Sequence, residues 1–341
     1  MVPEVVSLDP LLDDGTAAVV VPFHNAAVAE LFPDHKAVAV DEFRARFDAP
    51  ELQSQFIGLV EPSGDLVGLG LVRMWVDGTN AHLLFVQILV RPDRRRAGLG
   101  RLLLDRTVQI AEGSGRSMVI ADTVDTVPAG ASFAVAVGAE VGMREYVSSV
   151  SVANLDTDRL QLWIDDGPRR GADYDVKRWV DGYPEADLAH IAELFVMADE
   201  DMPFEDAAFE PITETAETLK LRLEGSKPFV DRVTSVAVHR PSGQLVGFSE
   251  LIRRSSDPAT LLTTLTTVHR DHRGHAIGKW LKADVIMAAT ARFAETTVVK
   301  TENAFSNAAM LGINDAIGFV PRFTLTSYQV GTEDLRANID R

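Results

Sequence analysis

The chain has 341 residues, 46% of them apolar and 24% charged, which supplies two cores of ordinary size and excludes a disordered or collagen-like polymer. Its 33 basic and 50 acidic residues leave a formal charge of −17, which disfavours nucleic acid and anionic membrane as partners and favours cationic small molecules. With no cysteine there are no disulfides, no thiolate metal sites and no cysteine nucleophile.

The N-terminus, MVPEVVSLDPLLDD, is acidic and lacks a basic region followed by a long apolar run, and no stretch reaches the ~18 apolar residues of a membrane span. A cytoplasmic protein is expected. In chain order, an apolar segment at 55–60 leads through Pro62-Ser63-Gly64 into a strand at 66–75, the pattern of a hairpin. A strand at 82–90 runs into a loop rich in Gly and Arg, then a helix at 98–112 with apolar residues three and four apart. A short strand at 117–123, a helical stretch at 132–137 and a β region ending near Val152 close this half. Residues 154–172 are polar and end in turn formers, which marks a boundary. The second half repeats the order: strands at 233–238, 245–253 and 261–268, a helix at 276–293, a strand at 297–301, a helix at 306–316 and a β region ending near Val330. The terminal TEDLRANIDR is polar and is expected to fray.

This order is a repeat in sequence as well as in pattern. Pro62-Ser63-Gly64 falls on Pro241-Ser242-Gly243 and Leu66-Val67-Gly68 on Leu245-Val246-Gly247, both at an offset of 179. LVRPDRRRAGLGRLLL from Leu89 then matches TVHRDHRGHAIGKWLK from Thr267 at 178, so a single residue separates the two offsets. A period of that size is a domain, not a solenoid unit. The division expected is a first domain at 1–155, a linker at 156–172 and a second domain at 173–341.

Each strand–loop–helix junction can hold an anion. A helix start carries free N–H groups and partial positive charge, and small residues let the backbone approach a phosphate. Gly98 and Gly100 serve in the first copy, and Gly274, Ala276 and Gly278 in the second, with Arg95 or Arg273 at the entrance. Alanine at 276 calls for a negative φ. Neither loop is a dinucleotide fingerprint or a P-loop. An ordinary turn with exposed arginines is the plain alternative for either loop alone.

VRPDRRRAGLG and VHRDHRGHAIG resemble motif A of the GNAT superfamily of N-acetyltransferases, [QR]-x-x-G-x-[GA] after a strand ending in Val. The resemblance covers both halves of the chain. It implies an α/β protein of two tandem GNAT-like domains, each a mixed twisted sheet flanked by helices, in which this loop binds the pyrophosphate of acetyl-CoA. The implied cofactor-binding residues are Val90, Arg95, Arg96, Ala97, Gly98, Leu99 and Gly100 in the first copy. In the second they are Val268, Arg273, Gly274, His275, Ala276, Ile277 and Gly278. TENAFSNAAMLGINDAIGF adds Asn303, Asn307, Met310, Asn314 and Gly318-Phe319, similar to the family's N-x-x-A-x-x-x-Y-x-x-x-G-F block; Asn303 and Asn307 join the implied cofactor contacts. The first copy has no asparagines there.

The C-terminal copy is therefore expected to be catalytic, and the N-terminal one structural or cofactor-binding. Glu250, whose repeat partner is Leu71, is the candidate base for a primary amine attacking the thioester; the alternative is an exposed glutamate paired with Arg253 or Arg254. The family's proton-donating tyrosine falls at Asn314, which cannot donate a proton at neutral pH, so Tyr328 is a substitute candidate. Asp201 and Glu205, in the acidic run 199–206, are the candidate contacts to a small cationic acceptor; a solvated loop is the alternative. His269, His272 and His275 lack the partners of a metal site and are read as loop histidines near phosphates; no metal is expected. The competing class is a non-catalytic acyl-CoA-binding or regulatory protein.

Overall fold

The computed structural model describes residues 3–49 and 51–340; Met1, Val2, Pro50 and Arg341 lie outside the described residues. The first half runs β1 (Glu4–Leu8), α1 (Asp14–Leu31), α2 (Val40–Phe47), β2 (Leu52–Val60), β3 (Leu66–Trp75), β4 (Leu83–Val90), α3 (Leu99–Gly113), β5 (Met118–Val124), α4 (Ala129–Ala136) and β6 (Glu140–Ser151). Then come α5 (Thr157–Arg170), β7 (Tyr174–Val180), α6 (Leu188–Glu200), α7 (Ala216–Ser226), β8 (Val230–His239), β9 (Leu245–Arg254) and β10 (Asp257–Val268). The chain ends with α8 (Ile277–Arg292), β11 (Val298–Ala304), α9 (Ala308–Asp315), β12 (Val320–Gly331) and α10 (Thr332–Ile339). Local chemistry starts the helices: Asp13 accepts from the Thr16 N–H at the head of α1, and Thr215 and Thr218 form a reciprocal capping box on α7.

The chain makes two compact units, and each is a mixed sheet flanked by helices. In unit 1 the strands run β1-β2-β3-β4-β5, all antiparallel neighbours except the parallel pair β4–β5. The sheet is completed by residues 324–331 of β12, paired antiparallel to β5. Unit 2 repeats the plan with β7-β8-β9-β10-β11, parallel only at β10–β11, and is completed by residues 145–151 of β6. Each copy thus receives the last strand of the other.

The cores follow this exchange. Val330 and Leu335, from the end of the chain, are buried with Leu84, Leu103 and Val108 of unit 1. Val150, Leu155 and Leu160 are buried with Leu261, Ile286 and Phe319 of unit 2. Two expectations are corrected here. Residues 156–172 are no linker: α5 occupies them, with Leu160 wholly buried and Gly167 closed over by the Trp280 ring of α8. The compact units are residues 1–144, 204–210 and 324–341 on one side and 145–203 and 211–323 on the other, so the division at 155 and 173 does not hold. Of the C-terminal segment expected to fray, Thr332–Ile339 instead forms α10, where Arg336 is ion-paired with Glu112 and Asp105 of α3; Arg341 lies outside the described residues.

Candidate active site

In unit 2 the chain leaves β10 at Val268, makes a short 3-10 turn at Arg270–His272 and enters α8. Gly274 and Ala276 both stand in the left-handed region, at φ 86° and 61°. Alanine therefore holds a positive φ, contrary to expectation, and carries the steric strain that glycine would avoid. The loop of unit 1 has the same shape with the glycine moved: Arg96 at 63° and Gly98 at 81°. No side chain caps α8 or α3, so the N–H groups of both first turns are open to an anion.

The loop arginines are also tied into the protein. Arg273 donates through Nε to the Val268 carbonyl at 3.0 Å and through Nη2 to Asp201; Arg270 bonds Asp201 and Glu200, each at 2.8 Å. Arg95 repeats this in unit 1, with Nε on the Val90 carbonyl at 3.0 Å and its fork on Glu30 at 2.7 and 2.6 Å. Each arginine clamps its loop to the preceding strand and to an acid at the end of the first helix. Burial opposes the charge on Asp201, but hydrogen bonds from Arg273 and Arg270 hold its carboxyl below the ordinary range. Asp201 lines the cleft described next, with its carboxylate engaged by both arginines. Glu205 lies in unit 1, accepting from the Arg144 N–H at 3.2 Å, and takes no part in this site.

Between β10 and β11 the sheet opens. Parallel pairing covers only Thr260↔Val298, Leu261↔Val299 and Leu262↔Lys300. Beyond it, residues 263–268 of β10 and Thr301–Ala304 of β11 wall a cleft of about 570 Å³ that reaches the loop and the start of α8. On its other edge β10 pairs with β9, and there the register slips between Thr263↔Leu251 and Leu265↔Glu250. Thr264 is a bulge, the extra residue that breaks the ladder beside the cleft. The matching stretch of β4 pairs with β3 from Arg73↔Phe85 to Gly68↔Val90 without a slip. The Thr263 hydroxyl, on the cleft wall, is buried with no partner.

Behind the bulge lies Glu250, 1% exposed. Its carboxylate accepts from Tyr183 at 2.5 Å, Arg232 at 3.0 Å, Thr234 at 3.0 Å and Thr264 at 2.9 Å. Four donors fill the acceptor sites of the two oxygens. This does not fit the assignment of Glu250 as the base: it is buried, occupied and outside the cleft lining, and its partner is Arg232, not Arg253 or Arg254. Burial first, then the Glu250 charge, pushes the Tyr183 phenol well above its usual range, so it stays a donor.

On the β11–α9 side, Asn303 and Asn307 line the cleft. Asn307 also caps α9 through the Met310 N–H at 3.2 Å, and Asn303 accepts from the Asn314 amide at 2.6 Å. Asn314 sits behind Asn303, 3% exposed, with Oδ1 unpartnered. Tyr328 is elsewhere: it pairs opposite Ala121 in the sheet of unit 1, because β12 has crossed over. That strand exchange removes it from the cleft of unit 2.

Of the expected second-copy contacts, Val268, Arg273, Gly274, Ala276, Ile277, Gly278, Asn303 and Asn307 meet around one cleft. His275 turns away to the Tyr174 ring, whereas His272 lines the cleft and takes a hydrogen bond at 2.9 Å with the Tyr174 hydroxyl. Burial and then the neighbouring His239 and His269 imidazoles lower the His272 pKa. In unit 1, Val90, Arg95, Arg96, Ala97, Gly98, Leu99 and Gly100 keep the same loop plan, but the Phe133 ring of α4 closes on Gly100, where a Cβ would meet it at 3.3 Å. Sequence reasoning passed over Thr263, Thr264 and Lys282; the offset between the copies falls from 179 to 178 across this hairpin, the opposite sense to an added residue, so it gave no signal for the bulge.

Comparison with known proteins agrees with this geometry. Residues 21–135 match the family model for the acetyltransferase (GNAT) family. A tandem GNAT protein from the clavulanic acid biosynthesis pathway superposes with a TM-score of 0.79 at 25% identity, over 96% of this chain and 98% of that one. The chain is a tandem GNAT fold. A GCN5-related N-acetyltransferase from Sphaerobacter thermophilus shares the fold at 15% identity, with a TM-score of 0.67 over 97% of both chains. So does Saccharomyces cerevisiae N-myristoyltransferase with bound myristoyl-CoA, at 12% identity and a TM-score of 0.61 over 96% of this chain and 79% of that one. No curated protein sequence matches the chain. The family match and the tandem neighbour support acyl transfer from a CoA derivative in general terms. Among the described residues no helix is long and apolar enough to cross a membrane, and no cluster of His, Cys, Asp or Glu is spaced to hold a metal ion.

Proposed function

We propose that unit 2 transfers an acetyl group from acetyl-CoA to the primary amine of a small metabolite, by direct attack on the thioester. The observation that carries this is the bulge at Thr264, made in the pairing of β10 with β9, on the strand whose open side walls the same cleft as the uncapped start of α8. The open first turn would take the pyrophosphate, and the unpaired backbone of residues 263–268 would take the amides of the pantetheine arm. A bulge frees a backbone donor, which is what an oxyanion developing on the thioester carbonyl needs. The amine nitrogen bonds to the carbonyl carbon, the C–S bond breaks, and CoA leaves as thiolate. Leaving without a protonating tyrosine costs only about 2 kcal/mol at neutral pH for a thiol of pKa ~8.5.

Glu250 supports this step as a positioning residue. Its bond to the Thr264 hydroxyl fixes the bulge, and Arg232 and Tyr183 fix Glu250. Glu145, Asp201 and Glu302 are the carboxylates that line the cleft, and one of them would take the amine's proton through water. The test is thiol release from acetyl-CoA against a panel of primary amines. Amine-dependent release supports the reading. Binding of acetyl-CoA with no release for any amine would favour the non-catalytic acyl-CoA-binding alternative.

A further inference from the structure

Lys282 stands on the inner face of α8, one turn beyond Gly278, and lines the cleft although only 1% of it is exposed. Its repeat partner is Leu104, a core residue of unit 1 at 3% exposure, so a lysine has taken an apolar position. An ammonium has three donors to satisfy, and this one has a single weak acceptor, the Met310 thioether at 3.7 Å, with the Phe319 ring 5.5 Å away. Charged groups stand on several of the elements around it. On α8, Asp284 is engaged by Arg178 and Ser235, and Lys279 lies over Trp163. Lys300 and Glu302 belong to β11, Asp315 is exposed on α9, and Glu145 lies on β6. None of them is ion-paired with Lys282, and burial alone lowers the amine to about 7.

A buried amine without a counter-charge, in a cleft whose other end is an uncapped helix start, is built to respond to an arriving anion. We propose that Lys282 is an anion-binding contact of this cleft, leaving Met310 for the phosphate-bearing arm of an acyl-CoA, and that ligand binding is accompanied by uptake of a proton at this amine. The inference rests on the acyl-CoA reading above. It adds a site to it: the phosphates that settle on the loop also switch on a positive charge one turn deeper, so that affinity falls as pH rises.

The test is calorimetric titration with desulfo-CoA, which has no thiol to ionise, at about pH 8.5 in two buffers of different ionisation enthalpy. At that pH an ordinary imidazole and a phosphate monoester are already deprotonated. The wild type is expected to take up about one proton per ligand bound in unit 2. Lys282→Leu, chosen because Leu104 fills the same position, is expected to bind about tenfold more weakly without that uptake, and Lys282→Met to do the same. Wild-type binding with no proton uptake overturns the proposal by itself, whether or not the variants fold, and leaves the acyl-CoA reading standing. Equal uptake in wild type and folded variants also overturns it. Failure of desulfo-CoA to bind at all overturns both.

Discussion

The two units share a plan and differ in one strand. Both place an uncapped helix behind a loop with two left-handed residues, and both clamp that loop with an arginine on a strand carbonyl and an acid. Unit 2 has one more residue than unit 1 between matched pairs of its cleft strand, and that residue, Thr264, is tied to a buried glutamate where unit 1 has Leu71. Unit 1 keeps apolar packing there and lays Phe133 over Gly100. The loop geometry that could hold an anion is thus common to both units, whereas the features that would act on a thioester are confined to one copy.

That contrast can be broken most forcefully at the bulge. Deleting Thr264 gives β10 the register of β4, and turnover is expected to fall about a hundred- to thousandfold with desulfo-CoA binding kept and the circular dichroism spectrum unchanged. Turnover within threefold of wild type would end the assignment of the oxyanion donor to this strand.

The second break is at Lys282 and is read as stability. Its amine is lowered in the fold, so between about 7 and 10.5 the unfolded chain binds more protons and stability rises with pH. Lys282→Leu removes that slope. The variant is expected to be more stable at pH 7, by about 4 kcal/mol at most, and the gap to close as pH approaches 10.5. Urea midpoints across that range check it; a constant gap would mean the amine is charged in the fold.

Glu250→Gln separates an anchor from a base. It leaves Arg232 buried without its counter-charge, and about 3 kcal/mol of stability is expected to go, with a smaller change in turnover per folded molecule. Lost turnover at wild-type stability, together with a vanished limb of the pH–rate profile, would restore Glu250 as the base. The loop clamps give a gentler comparison. Arg273→Ala is expected to raise the KM for acetyl-CoA about tenfold, while Arg95→Ala leaves kinetics unchanged. The smallest effect concerns the backbone: Ala276→Gly should stabilise by about 1 kcal/mol and Gly98→Ala should destabilise by as much, both read as thermal midpoints.

Much of this was legible in the sequence. The hairpins, the cleft strands and the helices behind the loops follow from apolar periodicity and Ser-Gly turns, and strand 66–75 is matched end to end by β3. The strand exchange was not legible. EVGMREYVSSVS and VPRFTLTSYQVG alternate alike, and nothing local tells either which sheet will receive it. With the exchange went Tyr328. The pairing of Glu250 with Arg232, eighteen positions earlier, depends on strand register, so a glutamate marked only by its contrast with Leu71 looked available when it was enclosed. The arginine partners of Asp201 were out of view for a similar reason: they come from a loop about seventy residues on. Lys282 was hidden by its place in an otherwise apolar helix face.

The central claim is that chemistry belongs to the cleft of unit 2. A crystal structure with acetyl-CoA tests it most directly. The account predicts the pyrophosphate on the backbone N–H groups of residues 274–278 and the thioester carbonyl oxygen within hydrogen-bonding distance of the backbone at Thr264. A thioester seated only between β4 and β5 of unit 1 would contradict it.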